Sequence, residues 1–147
     1  MIFPSTKFKD DSSQSTGLAF IRVYNNWHTQ IQKALRPVGL TLPQFVILTV
    51  TAYLQSHGQY VTQTMIATES QIDTMTTSQI VRLLEKKNYI IRTKHPKDSR
   101  ANVIQLKPSG LDKVTLALPL IEKIDDGFFG ILESEELYFK SLLQRLS

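Results

Sequence analysis

A chain that passes from two short helix-periodic segments, through a turn, into two β-rich runs joined by a charged, proline-containing tip has few folds open to it. Here that succession runs from Val61 to Leu106. Thr62 is placed to cap a short helix carrying Met65, Ile66 and Ala67. Asp73 is placed to cap a second, running to about Lys87 and closed by Asn88, which tolerates left-handed backbone. Ile90-Ile91-Arg92-Thr93 and Asn102 to Leu106 then read as paired strands around the tip Lys94-His95-Pro96-Lys97-Asp98-Ser99-Arg100. The whole reads as a helix-turn-helix followed by a two-stranded wing, mainly α with a small β-hairpin. Charge gathers in the same place. From Arg82 to Lys107, eight cations (Arg82, Lys86, Lys87, Arg92, Lys94, Lys97, Arg100, Lys107) stand against two acids (Glu85, Asp98), a local +6 in a chain of net +4. A basic excess confined to one module suggests a surface that meets a polyanion. From Pro108 onward four cations stand against seven acids, −3, so that end is expected to face away from DNA.

At 147 residues the chain fits one domain with a real core. No apolar run approaches the ~20 residues needed to cross a bilayer. The start, Met1 to Lys7, lacks the apolar core of a secretory signal, so a cytoplasmic protein with no membrane partner is expected. The absence of cysteine excludes disulfides, thiolate metal sites, cysteine nucleophiles and cysteine redox sensing. Catalysis fares poorly as well. His28, His57 and His95 fall in a helix, a loop and the wing tip, at no metal-ligand spacing and beside no nucleophile elbow. There is no glycine-rich phosphate loop, and the pairs Asp125-Asp126 and Glu135-Glu136 have the look of solvated helix ends. No enzyme activity, metal or cofactor is expected.

Around the central module the periodicity predicts more helices. Phe20, Ile21, Tyr24, Trp27, His28, Ile31, Ala34 and Leu35 follow 3/4 spacing, a long amphipathic helix ending near Arg36 before Pro37 and Gly39. Thr41-Leu42-Pro43-Gln44 has the form of a capping box opening a helix with Phe45, Val46, Leu48, Ala52 and Leu54 as its apolar residues, stopping around Ser56-His57-Gly58. Tyr60-Val61 predicts a short strand. After the wing, Pro108 suits the first turn of a long helix through Val114, Leu118, Ile121 and Ile124, bent at Pro119 and interrupted at Gly127 and Gly130. Ser134 is expected to cap a last helix with Leu137, Phe139, Leu142, Leu143 and Leu146, Glu135 and Glu136 lying near its positive end. The apolar faces of Phe20 to Leu35 and Leu137 to Leu146 exceed what one small lobe covers, which predicts burial between two copies.

Rotation at about 100° per residue assigns the faces of the helix after Asp73. Thr76, Ile80, Leu83 and Leu84 are expected to point to the core, and Met75, Ser78, Gln79, Arg82 and Lys86 to solvent. A helix in the major groove needs short or flexible side chains that reach base edges. Thr74, Met75 and Thr77 offer hydroxyls or apolar contact to a thymine methyl, Ser78 donates or accepts, Gln79 suits adenine, and Arg82 suits guanine or a phosphate. The bland alternative is a solvated helix face. Lys94, His95, Lys97 and Arg100 extend the candidate surface onto the wing. There Asp98, two residues before Arg100, can hold the guanidinium by a charge-assisted pair or simply stabilise the hairpin. An aimed arginine suits a narrow, electronegative minor groove.

The order of elements resembles the MarR family of winged-helix transcription regulators over residues 15–147. Carrying the resemblance are Leu40-Thr41-Leu42-Pro43-Gln44, the run Ile72 to Lys87, and Asp98-Ser99-Arg100 leading into Leu106 and Gly110. It implies a homodimer with interlocking first and last helices, a DNA-reading fourth helix, and a wing with Asp98 as anchor and Arg100 as minor-groove probe. The implied division is a winged lobe at 37–107, dimerisation helices at 15–36 and 108–147, and a flexible arm at 1–14. Gln71 and Asn88 stand where the family has glycine, Ser70 where it has leucine, and Lys107 where it has threonine. Many members bind small aromatic or anionic effectors between the dimer helices and the DNA lobes, where Trp27, His28, Phe45 and Tyr53 are candidates, although aromatics at helical spacing are more often packing. The expected function is a ligand- or signal-responsive repressor on a pseudo-palindromic operator in double-stranded DNA. The alternative is a winged helix used for protein contact without sequence-specific DNA binding.

Overall fold

The computed structural model describes residue 2, residues 4–8 and residues 10–147. Met1, Phe3 and Lys9 of the expected arm lie outside these. Asp11 caps a single 3-10 turn, Ser12–Gln14, accepting from the Ser13 amide at 2.9 Å. Six α-helices follow among the described residues: α1 (Thr16–Leu35), α2 (Leu42–Ser56), α3 (Gln63–Ser70), α4 (Thr74–Lys86), α5 (Pro108–Phe129) and α6 (Glu136–Leu146). The hairpin β1 (Ile90–Lys94) and β2 (Asn102–Leu106) stands between α4 and α5. No single helix among the described residues is long and apolar enough to cross a membrane.

Short-range chemistry sets most of these bounds. Ser15, Thr41, Thr62 and Asp73 each accept a backbone N–H from the first turn of the helix they precede, satisfying donors that the helix itself leaves free. At α2 the capping box is complete: Gln44 N donates to Thr41 Oγ1 at 3.4 Å and Thr41 N to Gln44 Oε1 at 3.2 Å. The strands pair antiparallel from Ile90 opposite Leu106 to Lys94 opposite Asn102.

One core holds the lobe to the flanking helices. Ile31 and Leu35 of α1, Ile47 and Leu48 of α2, Val61, Ile66, Val81, Leu84, Ile90, Ile104, and Val114, Ala117 and Ile121 of α5 are buried together. Trp27 adds a polar tie, its Nε1 donating to Asp125 Oδ1 at 2.8 Å across α1 and α5. Gly110 lets α5 start against the wing: a Cβ there would lie 2.1 Å from the Tyr89 carbonyl oxygen.

Four expectations are corrected. Tyr60-Val61 forms no strand; only a bridge from Thr62 to Val103 and a 2.8 Å bond from Ile104 N to Val61 O remain, and Tyr60 is exposed. Gly127 does not interrupt α5, which continues to Phe129. Ser134 caps nothing; it sits in a 3-10 stretch, Gly130–Glu135, whose sharp turn falls at Glu133 (φ 49°), and α6 begins after Glu135 with no side-chain cap. The inward face of α4 is Thr77, Val81 and Leu84, while Leu83 is 40% exposed and Thr76 half-buried. Thr77, Val81 and Leu84 follow one another at 4/3 spacing and centre the buried stripe, so Leu83, about 100° round from Leu84 on the far side from Val81's line, falls at its edge toward solvent.

Candidate nucleic-acid interface

Helix α4 shows solvent a continuous row. Thr74, Met75, Gln79, Arg82 and Lys86 are exposed, Met75 at 73%, with Ser78 half-buried on the flank. Thr77, expected among them, is wholly buried, and its hydroxyl donates to the Ile72 carbonyl at 3.3 Å. A threonine whose hydroxyl is satisfied by local backbone sits in a core at little cost, which is why hydroxyl chemistry alone misplaced it. At the start of α4, hydrogen bonds from the Thr76 side chain and amide hold the Asp73 carboxyl below the ordinary aspartate range.

The turn into α4 keeps its shape without glycine. Gln71 takes the left-handed conformation itself (φ 58°), and the Ser70 hydroxyl accepts from the Ile72 amide at 3.3 Å. Asn88 does the same after α4 (φ 64°). These residues leave the helix-turn-helix intact.

An ion pair ties α4 to the wing. Arg92 of β1 donates through Nε and Nη2 to Glu85 Oε2 at 2.9 and 2.6 Å, and these bonds hold the Glu85 carboxyl below the usual glutamate range. Arg92 is thereby neutralised. Lys87 and Lys107 turn to the far end of α4, Lys87 toward the Gly39 carbonyl and Lys107 onto the Asn88 side chain. The exposed cations that remain are Arg82 and Lys86 on α4 and Lys94, Lys97 and Arg100 on the wing.

At the wing tip Arg100 is exposed, beside a hollow of about 280 Å³ also lined by Arg92 and by Gln63 and Thr64 of α3. Of the two roles the sequence left open for Asp98, pairing with the Arg100 guanidinium or stabilising the hairpin, the structure shows the second. The Asp98 Oδ1 accepts from the Arg100 backbone amide at 3.0 Å, so Asp98 shapes the turn. A side chain two residues back reaches the amide within the same turn, where bonding to backbone competes with an exposed ion pair. His95, placed among the contact residues on the sequence, is half-buried and has internal partners: Lys97 N and Asp98 N both donate to its Nδ1 at 3.1 Å. The Glu85–Arg92 tie and the bonds of His95 went unread in the sequence. An acid and a base seven residues apart across a helix end gave the one faint signal for the former.

The four effector candidates do not converge. Phe45 is 6% exposed and packs in the core, the commoner role for an aromatic at helical spacing, and presents no surface to a ligand. Trp27 is spanned to Asp125, His28 stacks on Tyr24 with centroids 5.2 Å apart, and Tyr53 is exposed and packs on His57 at 4.5 Å.

A short helix pair with one exposed face, followed by a cationic hairpin and backed by a shared core, defines a winged helix-turn-helix protein. Comparison with known proteins narrows the class. The MarR family model matches residues 40–101. The chain is 40% identical over 132 residues to a Bacillus subtilis (strain 168) protein described as the uncharacterized HTH-type transcriptional regulator YdcH, covering 90% of each. It superimposes on Bordetella bronchiseptica BpsR, a protein whose DNA binding is regulated by 6-hydroxynicotinic acid, with a TM-score of 0.83 at 23% identity, covering 98% of this chain and 97% of that one. It also superimposes on MepR of S. aureus in a DNA complex, with a TM-score of 0.82 at 24% identity, covering 90% and 96%. The protein belongs to the MarR family and is a transcriptional regulator rather than an enzyme.

Proposed function

We propose that this regulator is a cytoplasmic homodimeric repressor that occupies a pseudo-palindromic operator in double-stranded DNA, with half-sites about one helical turn apart. Residues 37–107 are the DNA lobe, 15–36 and 108–147 the dimerisation helices, and 1–14 an arm. Thr74, Met75, Ser78, Gln79 and Arg82 read the major groove. Lys94, Lys97 and Arg100 engage the backbone and adjacent minor groove, with Asp98 shaping the tip. The observation that carries this reading is the exposed Met75/Gln79/Arg82 row beside the Arg100 wing, the two fastened by Glu85 and Arg92. The relatives lend support, since MepR is seen in a DNA complex and BpsR answers to a small aromatic acid. A small aromatic or anionic effector would act by favouring one spacing of the two lobes, with Trp27, His28 and Tyr53 as its candidate contacts.

Titrating duplex binding with salt tests the reading. Neutralising Z phosphates gives a log-log slope near −0.9Z, whereas a protein-docking module scarcely binds duplex at all. On fragments selected from a random duplex pool, Arg100→Ala is expected to weaken binding by more than ~1 kcal/mol with the melting temperature nearly unchanged. Unaltered affinity would remove the wing from the mechanism, and asymmetric selected sites would remove the palindrome.

A further inference from the structure

The wing tip is organised around one imidazole nitrogen. His95 Nδ1 accepts the amides of Lys97 and Asp98, both at 3.1 Å. Asp98 Oδ1 accepts the amide of Arg100 at 3.0 Å. Backbone bonds close the loop: His95 N to Ala101 O and Ala101 N to Asp98 O, both 3.1 Å. The His95 ring rests edge-on against Tyr60, centroids 5.3 Å apart. Lys94, Pro96, Lys97, Asp98, Ser99 and Arg100 are all exposed, so His95 is the half-buried post that the tip turns about. Accepting from the second and third residues on is a bonding habit of aspartate and asparagine, whose side-chain oxygens brace turns in this way. Here an imidazole does that work, with a difference. A nitrogen accepting two N–H groups carries no proton of its own, so the ring is in the Nε2–H form, and protonation turns Nδ1 into a donor facing two donors.

We propose that His95 is the positioning residue of the wing, setting the tip that aims Arg100, and that protonating it releases the tip and weakens DNA binding. The inference rests on the DNA reading above but concerns how the wing is held. Against the ring stand Lys97 and Asp98, whose amides bond it, and Tyr60 on the segment before α3, with Lys94 and Arg100 close by along the hairpin; of these residue types only histidine ordinarily changes charge between about pH 5 and 8. The sign is diagnostic. An added positive charge near phosphates by itself tightens binding, so a loss on acidification reports geometry and not Coulomb attraction.

The test compares wild type, His95→Asn and His95→Ala, all retaining His28 and His57. Asparagine keeps an acceptor of the right reach and does not titrate; alanine has none. In the free protein, the amide resonances of Lys97, Asp98 and Arg100 are followed by NMR from neutral pH down through the acid range in which the protein stays folded. They are expected to move in the wild type to their positions in His95→Ala, and to stay fixed in His95→Asn. On selected duplex, wild type and His95→Asn are expected to agree within about twofold at the higher pH. At the lower pH the wild type falls at least about fivefold behind His95→Asn, and His95→Ala is weak at both. Parallel wild-type and His95→Asn profiles, wild-type affinity rising relative to His95→Asn on acidification, or unshifted tip amides in His95→Ala would each overturn the proposal. Tip amides that respond as described in a protein that binds no duplex at any pH would instead overturn the DNA reading and leave the wing post standing.

Discussion

Gln71 holds a left-handed conformation (φ 58°) that costs a residue with a Cβ ~1–2 kcal/mol. Glycine avoids that strain but loses ~0.5–1 kcal/mol through the greater freedom of its unfolded state. Gln71→Gly is therefore expected to stabilise by up to about 1 kcal/mol, read as a melting temperature higher by roughly 2–4 °C. A lower melting temperature would mean that the 3.4 Å bond from Gln71 Nε2 to the Thr68 carbonyl outweighs the strain. At this scale the sequence was legible wherever a residue answers to its near neighbours in the chain. The caps at Thr41, Thr62 and Asp73 and the left-handed Asn88 are of that kind. Thr77 and His95 were not, because a hydroxyl or an imidazole suits solvent, core or contact alike until its partner is known.

Between elements, two contacts fix how the wing stands against the helices. Glu85 and Arg92 join α4 to β1, each side chain about a third exposed, so water screens the pair and its worth is ~0.2–1 kcal/mol. Because the Glu85 carboxyl is held below its ordinary value, this contribution is fully present above the unfolded glutamate pKa of ~4.3 and lost as pH falls through the lower folded value. Glu85→Gln is thus expected to lower the melting temperature slightly at neutral pH, the gap to wild type closing below about pH 4. A gap that persists in acid would refute the ion-pair account. Gly110 is the other contact. Gly110→Ala sets a methyl 2.1 Å from the Tyr89 carbonyl, and a backbone oxygen cannot swing aside. Overpacking of this kind costs ~1–3 kcal/mol, and denaturant unfolding should show it as a lower midpoint at unchanged slope. Neutral behaviour would mean that α5 shifts freely on the wing.

Taken whole, one protomer leaves much apolar surface uncovered. Only Ile31 and Leu35 of α1 are buried, while Phe20, Ile21, Val23 and Tyr24 are 44–61% exposed. Helix α6 buries no residue, and Leu137 and Leu146 are 79% and 85% exposed. A monomer rarely keeps so wide an apolar face in water, which is the physical case for the second copy. Sedimentation at micromolar concentration is expected to find pairs of the 16.8 kDa chain, and Leu137→Glu with Phe20→Glu to yield monomers. A strictly monomeric wild type would contradict this.

Most helix, turn and strand identities came from the sequence because caps, periodicity and strand composition act over a few residues; the strand expected at Tyr60-Val61 and the cap expected at Ser134 did not form. Likewise the +6 segment announced itself as soon as the charges were placed in order. Tertiary structure decided what depends on which atoms finally meet. Packing turned Val81 inward and Leu83 outward, drew Arg92 out of the cationic surface onto Glu85, buried Thr77, and made His95 the post of its own hairpin. Burial and hydrogen bonding are satisfied across the whole fold at once, and a periodic pattern fixes only the options among which that closure selects.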